Sequence, residues 1–239
     1  MKNKILELAS CKSTNDEARK HLDDPVIRAV VAARQTEGRG RLGRTWFSES
    51  GMGLYLSWVG RPGFQFNLGS AIPLLAAVAV SEVLEENNIQ PTLKWPNDLL
   101  VGHRKLAGIL CEAQGTSERW GVVIGIGLNL ATPSVGWPDE LNAIALDEII
   151  SAIPERMVLA TAIVDALNQW VQRVEQGGLK PVLSAWMRRS VPIGTPMMWT
   201  GQNGQFGGLN GDGSLRFITD SGIHSVHSGD VLLTSESEL

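Results

Sequence analysis

The sequence predicts an α+β fold, in which helices flank a mixed β-sheet and a small β-barrel follows at the C-terminus. Strand-like apolar runs and long helical patterns occupy the chain up to Arg189. From Val191 onward, five short apolar runs are separated by turns such as "NGDG", which is the pattern of a small barrel of tight hairpins. The 239 residues, 43% of them hydrophobic, suffice for a domain with a small appendage. We therefore predict a large domain over residues 1–189 and a second, small domain over 190–239.

The first half of the chain contains two predicted helices and two predicted strands. "KSTNDEARKHL" predicts a helix, because Thr14 and Glu17 have the spacing of a capping box and Ala18 and Leu22 form an apolar edge. "RAVVAARQ" and "GLYLSWVG" predict strands on either side of an arginine-rich loop. "IPLLAAVAVSEVLEENN" predicts a helix that begins near Pro73.

The second half begins with four β-rich runs that predict a meander of neighbouring strands. These runs are "PTLKWP", "LLVG", "KLAGILCEA" and "WGVVIGIGLNL", with turns at "PND" and "GHR" and a polar loop at "QGTSER". "PERMVLATAIVDALNQWVQRVEQGG" then predicts a long helix with an apolar stripe, and "KPVLSAWMRR" a short one.

The loop "EGRGRLGRTW", residues 37–46, contains the G-x-G-x-x-G spacing of a dinucleotide-binding turn. Such a turn must lead directly into a helix, and an acidic residue should follow about 20 residues later. Here a strand-like segment follows, and no acidic residue occurs between Glu49 and Glu82. Arg39, Arg41 and Arg44 alternate with glycines instead, which favours a flexible loop that binds a different anion.

The overall charge and the two cysteines exclude several classes of protein. A net charge of -4 and a pI near 5.6 argue against a nucleic-acid-binding protein that would use the arginine loop. Cys11 and Cys111 form no C-x-x-C motif, and the longest apolar run, residues 72–80, is too short to cross a bilayer. We expect a cytoplasmic protein that binds neither membrane nor nucleic acid and holds no structural metal.

Five motifs, in this order along the chain, closely resemble the biotin protein ligase family, also called biotin–[acetyl-CoA-carboxylase] ligases. They are "STN" at 13–15, Gln35 followed by "GRGRLGRTW", "KWPND" at 94–98, "KLAGIL" at 105–110 and "GIGLN" at 125–129. The resemblance covers essentially the whole chain. Bifunctional repressors of the family begin with a DNA-binding domain, whereas this chain starts at the catalytic motifs. The resemblance therefore implies the monofunctional type.

The resemblance implies a class II synthetase-like fold, also called the biotin–lipoate ligase fold, with an SH3-like C-terminal barrel. It also implies that biotin and MgATP form biotinoyl-5'-AMP, and that the acyl group passes to a lysine of the biotin carboxyl carrier protein of acetyl-CoA carboxylase. No covalent enzyme intermediate is needed. The oligomeric state is left open between monomer and homodimer, as is the role of Asp98 as a metal contact or an orienting residue.

Three groups of site residues follow from the resemblance. Lys105 and Arg41 are the expected catalytic residues. The expected biotin-binding residues are Ser13, Thr14, Asn15, Gln35, Gly38, Arg39, Gly40, Arg41, Lys105 and Gly108. The residues expected on the nucleotide side are Arg44, Trp46, Asn97, Asp98 and Asn129.

A lipoate or octanoate ligase or transferase is the nearest alternative, because such enzymes share the fold and also modify a carrier lysine. They lack the "GRGRLGR" loop, so the motif itself favours biotin over lipoate.

Overall fold

Seven strands form the larger of two β-sheets in the computed structural model, which describes residues 4–63, 71–115, 120–138 and 141–234. They are β1 (Lys4–Leu8), β2 (Ile27–Ala32), β3 (Gly53–Gly60), β4 (Thr92–Lys94), β5 (Asp98–Val101), β6 (Arg104–Gly115) and β7 (Trp120–Asn129). Their order is β1-β2-β3-β7-β6-β5-β4; β1 and β2 are parallel, and the other neighbours are antiparallel. The predicted mixed sheet and its β4–β7 meander are confirmed.

Two features of the sheet were not predicted: strand β1 and the length of strand β6. Strand β1 was not predicted, because "KILEL" is a short run beside the N-terminus with no turn signal before it. Of the predicted polar loop "QGTSER", the first two residues belong to β6, and residues 116–119 lie outside the described residues.

The helices are α1 (Thr14–Arg19), α2 (Ala71–Glu86), α3 (Arg156–Gly177) and α4 (Lys180–Met187), and all four are confirmed. The predicted capping box in α1 is wrong. Ser13 occupies the N-cap position without a side-chain cap bond, and the Thr14 hydroxyl donates to Gln35 Oε1 instead. Because a partner in another element takes the hydroxyl, the local cap is lost.

The two faces of the larger sheet are covered unequally. Val30, Val59 and Val123 pack with Ala18 and Leu22 from the α1 segment. Residues next to these valines in β2, β3 and β7 join the main core with α2, α3 and α4, so these helices cover the opposite face. Since α1 has only six residues, it covers one end of its face and leaves the rest of β3, β6 and β7 available for a binding site.

The arginine-rich loop joins β2 to β3, which are antiparallel neighbours, so the predicted strand-to-strand connection is confirmed. This connection excludes a dinucleotide-binding turn, because no α-helix starts at its glycines. A short 3₁₀ turn spans Arg41–Gly43 at the loop tip. Leu42 has a φ of 54° there and is 72% exposed.

The C-terminal region forms a second, antiparallel sheet. Its strands are β8 (Pro196–Trp199), β9 (Gln202–Leu209), β10 (Leu215–Thr219), β11 (Gly222–Val226) and β12 (Val231–Leu233). The predicted five short strands are confirmed, but the observed order, β11-β10-β9-β8-β12, is that of an open sheet with β11 and β12 at its edges. Closure into a barrel therefore stays a prediction.

Backbone hydrogen bonds connect the predicted domain boundary to the larger sheet. The Leu93 amide donates to the Arg189 carbonyl at 2.7 Å, and the Val191 amide donates to the Leu93 carbonyl at 3.0 Å. The division between residues 189 and 190 stays a prediction. Within the described ranges, no helix has both the length and the apolar composition that crossing a bilayer requires.

Candidate active site

A cavity of about 420 Å³ lies between the open face of the larger sheet, the arginine-rich loop and strand β12. Fourteen of the fifteen predicted site residues line it: Ser13, Thr14, Asn15, Gln35, Arg39, Gly40, Arg41, Arg44, Trp46, Asn97, Asp98, Lys105, Gly108 and Asn129. Gly38 lies behind the lining. A side chain at Gly38 would overlap Ser48 and the Trp46 carbonyl, so this glycine is needed for the packing of the loop.

The floor of the cavity is made of glycines. Gly125 and Gly127 alternate with buried isoleucines in β7, and Gly108 pairs with Gly127 from β6. Because side chains alternate across a strand, the "GIGLN" pattern directs Ile126 and Leu128 to the core and its glycines to the cavity. A methyl group at Gly127 would overlap the Trp46 ring, and one at Gly108 would lie 2.9 Å from it. The glycines thus provide the space in which Trp46 lies.

One end of the cavity is a network of neutral hydrogen bonds. Gln35 Oε1 accepts from the Thr14 amide at 2.8 Å and from the Thr14 hydroxyl at 3.0 Å. The Ser57 hydroxyl lies 2.7 Å from Thr14 Oγ1 and 2.6 Å from Asn15 Oδ1, and Gln35 Nε2 donates to Ser48 Oγ at 2.9 Å. These side chains are therefore fixed in orientation without a ligand.

Charged groups of α1 and β6 border this polar end. The Asn15 amide donates to Glu112 Oε2 at 2.7 Å. Arg39 makes a two-pronged ion pair with Asp16, with distances of 2.8 and 2.7 Å, and hydrogen bonding from Arg39 lowers the pKa of the Asp16 carboxyl. Arg39 is thus held on the α1 side of the cavity, away from the partners of Arg41.

At the other end, Asp98 holds two lysines. Lys105 Nζ lies 2.5 Å from one carboxylate oxygen, and Lys94 Nζ lies 3.1 Å from the other. Burial alone would raise the pKa of Asp98, but the adjacent Lys105 and Lys94 ammonium groups hold it below its ordinary value. Lys105 Nζ also lies 5.4 Å from the centre of the Trp46 ring. Asp98 therefore fixes Lys105 beside the glycine floor.

Two loop arginines share a second carboxylate, that of Asp230, which directly precedes β12. Arg41 donates to Asp230 Oδ1 at 3.1 Å and to Asn97 Oδ1 at 3.3 Å, and Arg44 forms an ion pair with the other Asp230 oxygen. Burial lowers the pKa of the Arg41 guanidinium. The C-terminal sheet thus supplies a side chain to the same cavity.

Asn129 has a structural role in this arrangement. Its amide donates to the Lys105 carbonyl at 3.2 Å and to the Ile144 carbonyl at 3.0 Å. These bonds join the end of β7 to the start of β6 and to Ile144, which lies in the segment after β7. Asn129 therefore orients the backbone that carries Lys105.

The described residues do not fit a metal site held by the protein. No group of three His, Cys, Asp or Glu side chains in the described ranges comes close enough to hold an ion. The Asp98 carboxylate is already paired with two ammonium groups. In this arrangement the Asp98 carboxylate orients Lys94 and Lys105.

Neither cysteine offers a reactive thiolate at neutral pH. Burial, with help from Glu17 and Asp16, raises the pKa of the Cys11 thiol to about 11, and burial raises the pKa of Cys111 as well. The arrangement thus suits chemistry without a thiolate nucleophile.

Sequence reasoning missed several polar residues of this site, among them Ser48, Ser57, Lys94 and Asp230. Ser57 has a sequence signal, because it is the one serine in the β-rich run "GLYLSWVG" and alternation along the strand places it on the same side as Val59. Lys94 lies in the "KWPND" motif, but it is not among the residues that the motif predicts for the site. Asp230 has no such signal, since 189 positions separate it from Arg41.

Comparison with known proteins agrees with this geometry. The sequence profile of the Biotin/lipoate A/B protein ligase family matches residues 8–129, which contain the loop, the glycine floor and Lys105. The chain belongs to this family. Among solved structures, the chain is similar to that of a biotin protein ligase from Aquifex aeolicus in complex with biotin and ATP, with 28% sequence identity and a TM-score of 0.82 over 98% of this chain and 100% of that one.

Two relatives show how far the similarity within the biotin/lipoate ligase family extends. The bifunctional ligase/repressor BirA of Bacillus subtilis is 37% identical over 213 residues, which are 85% of this chain and 65% of that protein. The biotin–[acetyl-CoA-carboxylase] ligase of Paracoccus denitrificans is 29% identical over 236 residues, 94% of this chain and 98% of that one. This chain thus spans about two thirds of the former relative and nearly all of the latter.

Proposed function

We propose that this chain is a biotin protein ligase, which activates biotin with ATP and transfers it to a carrier lysine. One observation carries the proposal: a single cavity has a neutral hydrogen-bonding network at one end, a glycine floor under Trp46 in the middle, and Lys105 with Arg41 and Arg44 at the other end. Biotin has a polar ureido ring, an apolar chain and a carboxylate in the same order.

The polar end suits recognition of the ureido ring. Ser13, Thr14, Asn15 and Gln35 offer both donors and acceptors, and the network around Ser57 fixes their directions. A site with buried polar groups rejects ligands that cannot pair with them, because unpaired groups cost free energy. This supports biotin over lipoate, whose ring lacks the amide groups.

The first step joins the biotin carboxylate to the α-phosphate of ATP and releases pyrophosphate. Two unit negative charges at 4 Å repel each other by roughly 4 kcal/mol at an effective dielectric constant near 20. Lys105 and Arg41 reduce this repulsion, since Asp98 and Asn97 hold these cations at the end of the glycine floor. A preformed cation also stabilises the charge that develops on the phosphate in the transition state.

In the second step, the neutral amine of the acceptor lysine attacks the acyl carbon and AMP leaves. The protein contributes by retaining the adenylate and excluding water from the mixed anhydride. Arg41 and Arg44 extend from the loop over the cavity and are suited to this task, while Arg39 holds the loop to α1 through Asp16.

Several finer features belong to the same proposal. The acceptor is the carrier protein of acetyl-CoA carboxylase, in line with the name of the Paracoccus denitrificans relative. The nucleotide is MgATP, whose magnesium would offset the charge of the phosphates, and the C-terminal sheet corresponds to an SH3-like domain over residues 190–239. The protein is cytoplasmic, as a monomer or homodimer, and does not bind nucleic acid.

Biotin-dependent exchange of pyrophosphate into ATP tests the proposal, because it detects adenylate formation without a protein acceptor. We expect exchange with biotin and none above background with lipoate or octanoate. A carrier domain should then become biotinylated only in the presence of ATP. Exchange that depends on lipoate, or no exchange with any of the three acids, would contradict the proposal.

A further inference from the structure

The carboxylate of Asp230 contacts both arginines at the tip of the loop. One oxygen accepts from Arg41 at 3.1 Å, and the other pairs with Arg44. The Asp230 side chain is 19% exposed, whereas that of Arg44 is 62% exposed. A single, largely buried carboxylate from the second sheet thus fixes two cations of the first.

The backbone around Asp230 fixes where this carboxylate lies. Gly229 has a φ of 111°, a conformation that favours glycine, and a side chain there would lie 3.0 Å from Trp199 Nε1. Val231 then starts β12 and pairs with Trp199 of β8. Because strand pairing begins at the next residue, Asp230 has little freedom to follow the arginines if they move.

A nucleotide would compete with Asp230 for the same guanidinium groups. Phosphates accept two-pronged hydrogen bonds from arginine as carboxylates do, and ATP carries several negative charges where Asp230 carries one. A carboxylate that stays beside the phosphates also repels them, since like charges in a confined site are unfavourable. Binding of nucleotide therefore favours transfer of Arg41 and Arg44 from Asp230 to the phosphates.

We propose that Asp230 is a positioning residue that acts as an internal counter-ion: it holds Arg41 and Arg44 over the cavity before nucleotide binds and is displaced by the phosphates. The inference rests on the proposed function in one respect, namely that the nucleotide is ATP. It assigns to the C-terminal sheet a direct influence on nucleotide affinity and on the ligand-free loop.

The variant Asp230→Asn tests this role, because it keeps the size of the side chain and removes its charge. Without the competing carboxylate, ATP should bind about fivefold more tightly, a factor that corresponds to ~1 kcal/mol. Isothermal titration with ATP in the absence of biotin measures this Kd without turnover. In the ligand-free variant, trypsin should cleave after Arg41 and Arg44 faster than in the parent protein, and ATP should protect both proteins.

Two further variants separate the counter-ion role from a general effect on the sheet. Asp230→Glu retains the charge and should keep a Kd for ATP close to that of the parent. Asp220→Asn removes a charge from an exposed turn between β10 and β11 and should change neither the Kd nor the cleavage rate. Thermal unfolding of all three variants shows whether the C-terminal sheet stays folded.

The possible results differ for the two proposals. Tighter ATP binding and faster loop cleavage only in Asp230→Asn support the counter-ion role. Unchanged or weaker ATP binding in that folded variant overturns this role and leaves the proposed ligase activity intact. A parent protein that binds no ATP and supports no pyrophosphate exchange overturns both.

Discussion

The two ends of the cavity are organised by different interactions. At the polar end, Thr14, Asn15, Gln35 and Ser57 bind one another through short, neutral and directional hydrogen bonds. At the cationic end, lysines and arginines are held by the carboxylates of Asp98 and Asp230. The first end is already arranged for a neutral ring. The second holds its cations with internal anions that a ligand anion can replace.

This difference determines which changes affect rate and which affect affinity. Charge-assisted contacts to a reacting phosphate strengthen in the transition state, so their loss lowers the rate of the chemical step. Neutral contacts to a ring that does not react are equally strong before and during reaction, so their loss weakens binding. The following predictions are arranged from the largest expected effect to the smallest.

Replacement of the cation at the end of the glycine floor should have the largest effect. Lys105→Ala removes a charge that the proposed mechanism directs at the phosphate, and such losses cost about 10²- to 10³-fold in rate. Single-turnover adenylate formation measures the effect, and Lys180→Ala at the exposed start of α4 is the control. Near-normal adenylation by a folded Lys105→Ala protein would show that the cationic end does not act on the chemical step.

Removal of Arg41 should separate adenylate formation from adenylate retention. Arg41→Gly loses charge-assisted contacts worth roughly 1.5 to 3 kcal/mol and leaves the loop less rigid. The mixed anhydride should then escape and acylate lysines of a bystander such as serum albumin. Albumin labelling, normalised to the adenylate made, measures the escape. If the variant makes adenylate but labels albumin no more than the parent does, Arg41 has no retention role.

A methyl group on the glycine floor should displace Trp46, which lies between the two ends. Gly127→Ala would overlap the ring, and overpacking of this kind typically costs about 1–3 kcal/mol. The KM for biotin should rise about tenfold, an effect expected from that cost. Gly177→Ala, where a methyl group meets no atom within 4 Å, is the matched control. An unchanged KM in Gly127→Ala would mean that the floor does not contact biotin.

Loss of the buried Ser57 hydroxyl at the polar end should have the smallest effect. It should weaken the binding of biotin and leave the rate nearly unchanged. Ser57→Ala removes one hydrogen bond to the Thr14 and Asn15 pair, worth about 1 kcal/mol, and should raise the KM for biotin about fivefold with little change in kcat. Ser81→Ala, which removes an equally buried hydroxyl from α2, is the control.

The response to salt distinguishes the cationic end of the cavity from the polar end. Added salt should raise the KM for ATP in all variants, because it screens the cationic end, and should leave the effect of Ser57→Ala on biotin unchanged. A kcat defect in Ser57→Ala that equals the KM defect would contradict the division between the two ends.

Most elements were predictable because their signals are local. The apolar stripe of α3 and the turn residues of the second sheet are local patterns, and the motifs around Lys105 and Gln35 carry their resemblance within a few residues. The loop between β2 and β3 was also predictable, because no helical pattern follows its glycines.

The failures arise where a distant partner decides the outcome. Thr14 has the spacing of a helix cap, yet its hydroxyl bonds to Gln35, 21 positions away. Asp230 pairs with Arg41 across 189 positions, a relation that no spacing rule contains. Closure of the second sheet into a barrel depends on whether its edge strands meet, which is a property of the folded chain and not of its turns, so it stays a prediction.

The position of β7 between β3 and β6 has a consequence for the order of folding. Pairing with β6 joins neighbouring segments, but pairing with β3 joins residues such as Gly60 and Val122, which are far apart in the chain. Closure of such a long segment costs entropy before its contacts form, and non-local strand pairing slows folding. The helices and the β4–β6 meander involve nearer contacts. The surface that holds Trp46 and the cavity is therefore completed only when β3 has paired with β7. Recovery of ligand binding during refolding should report on this late pairing.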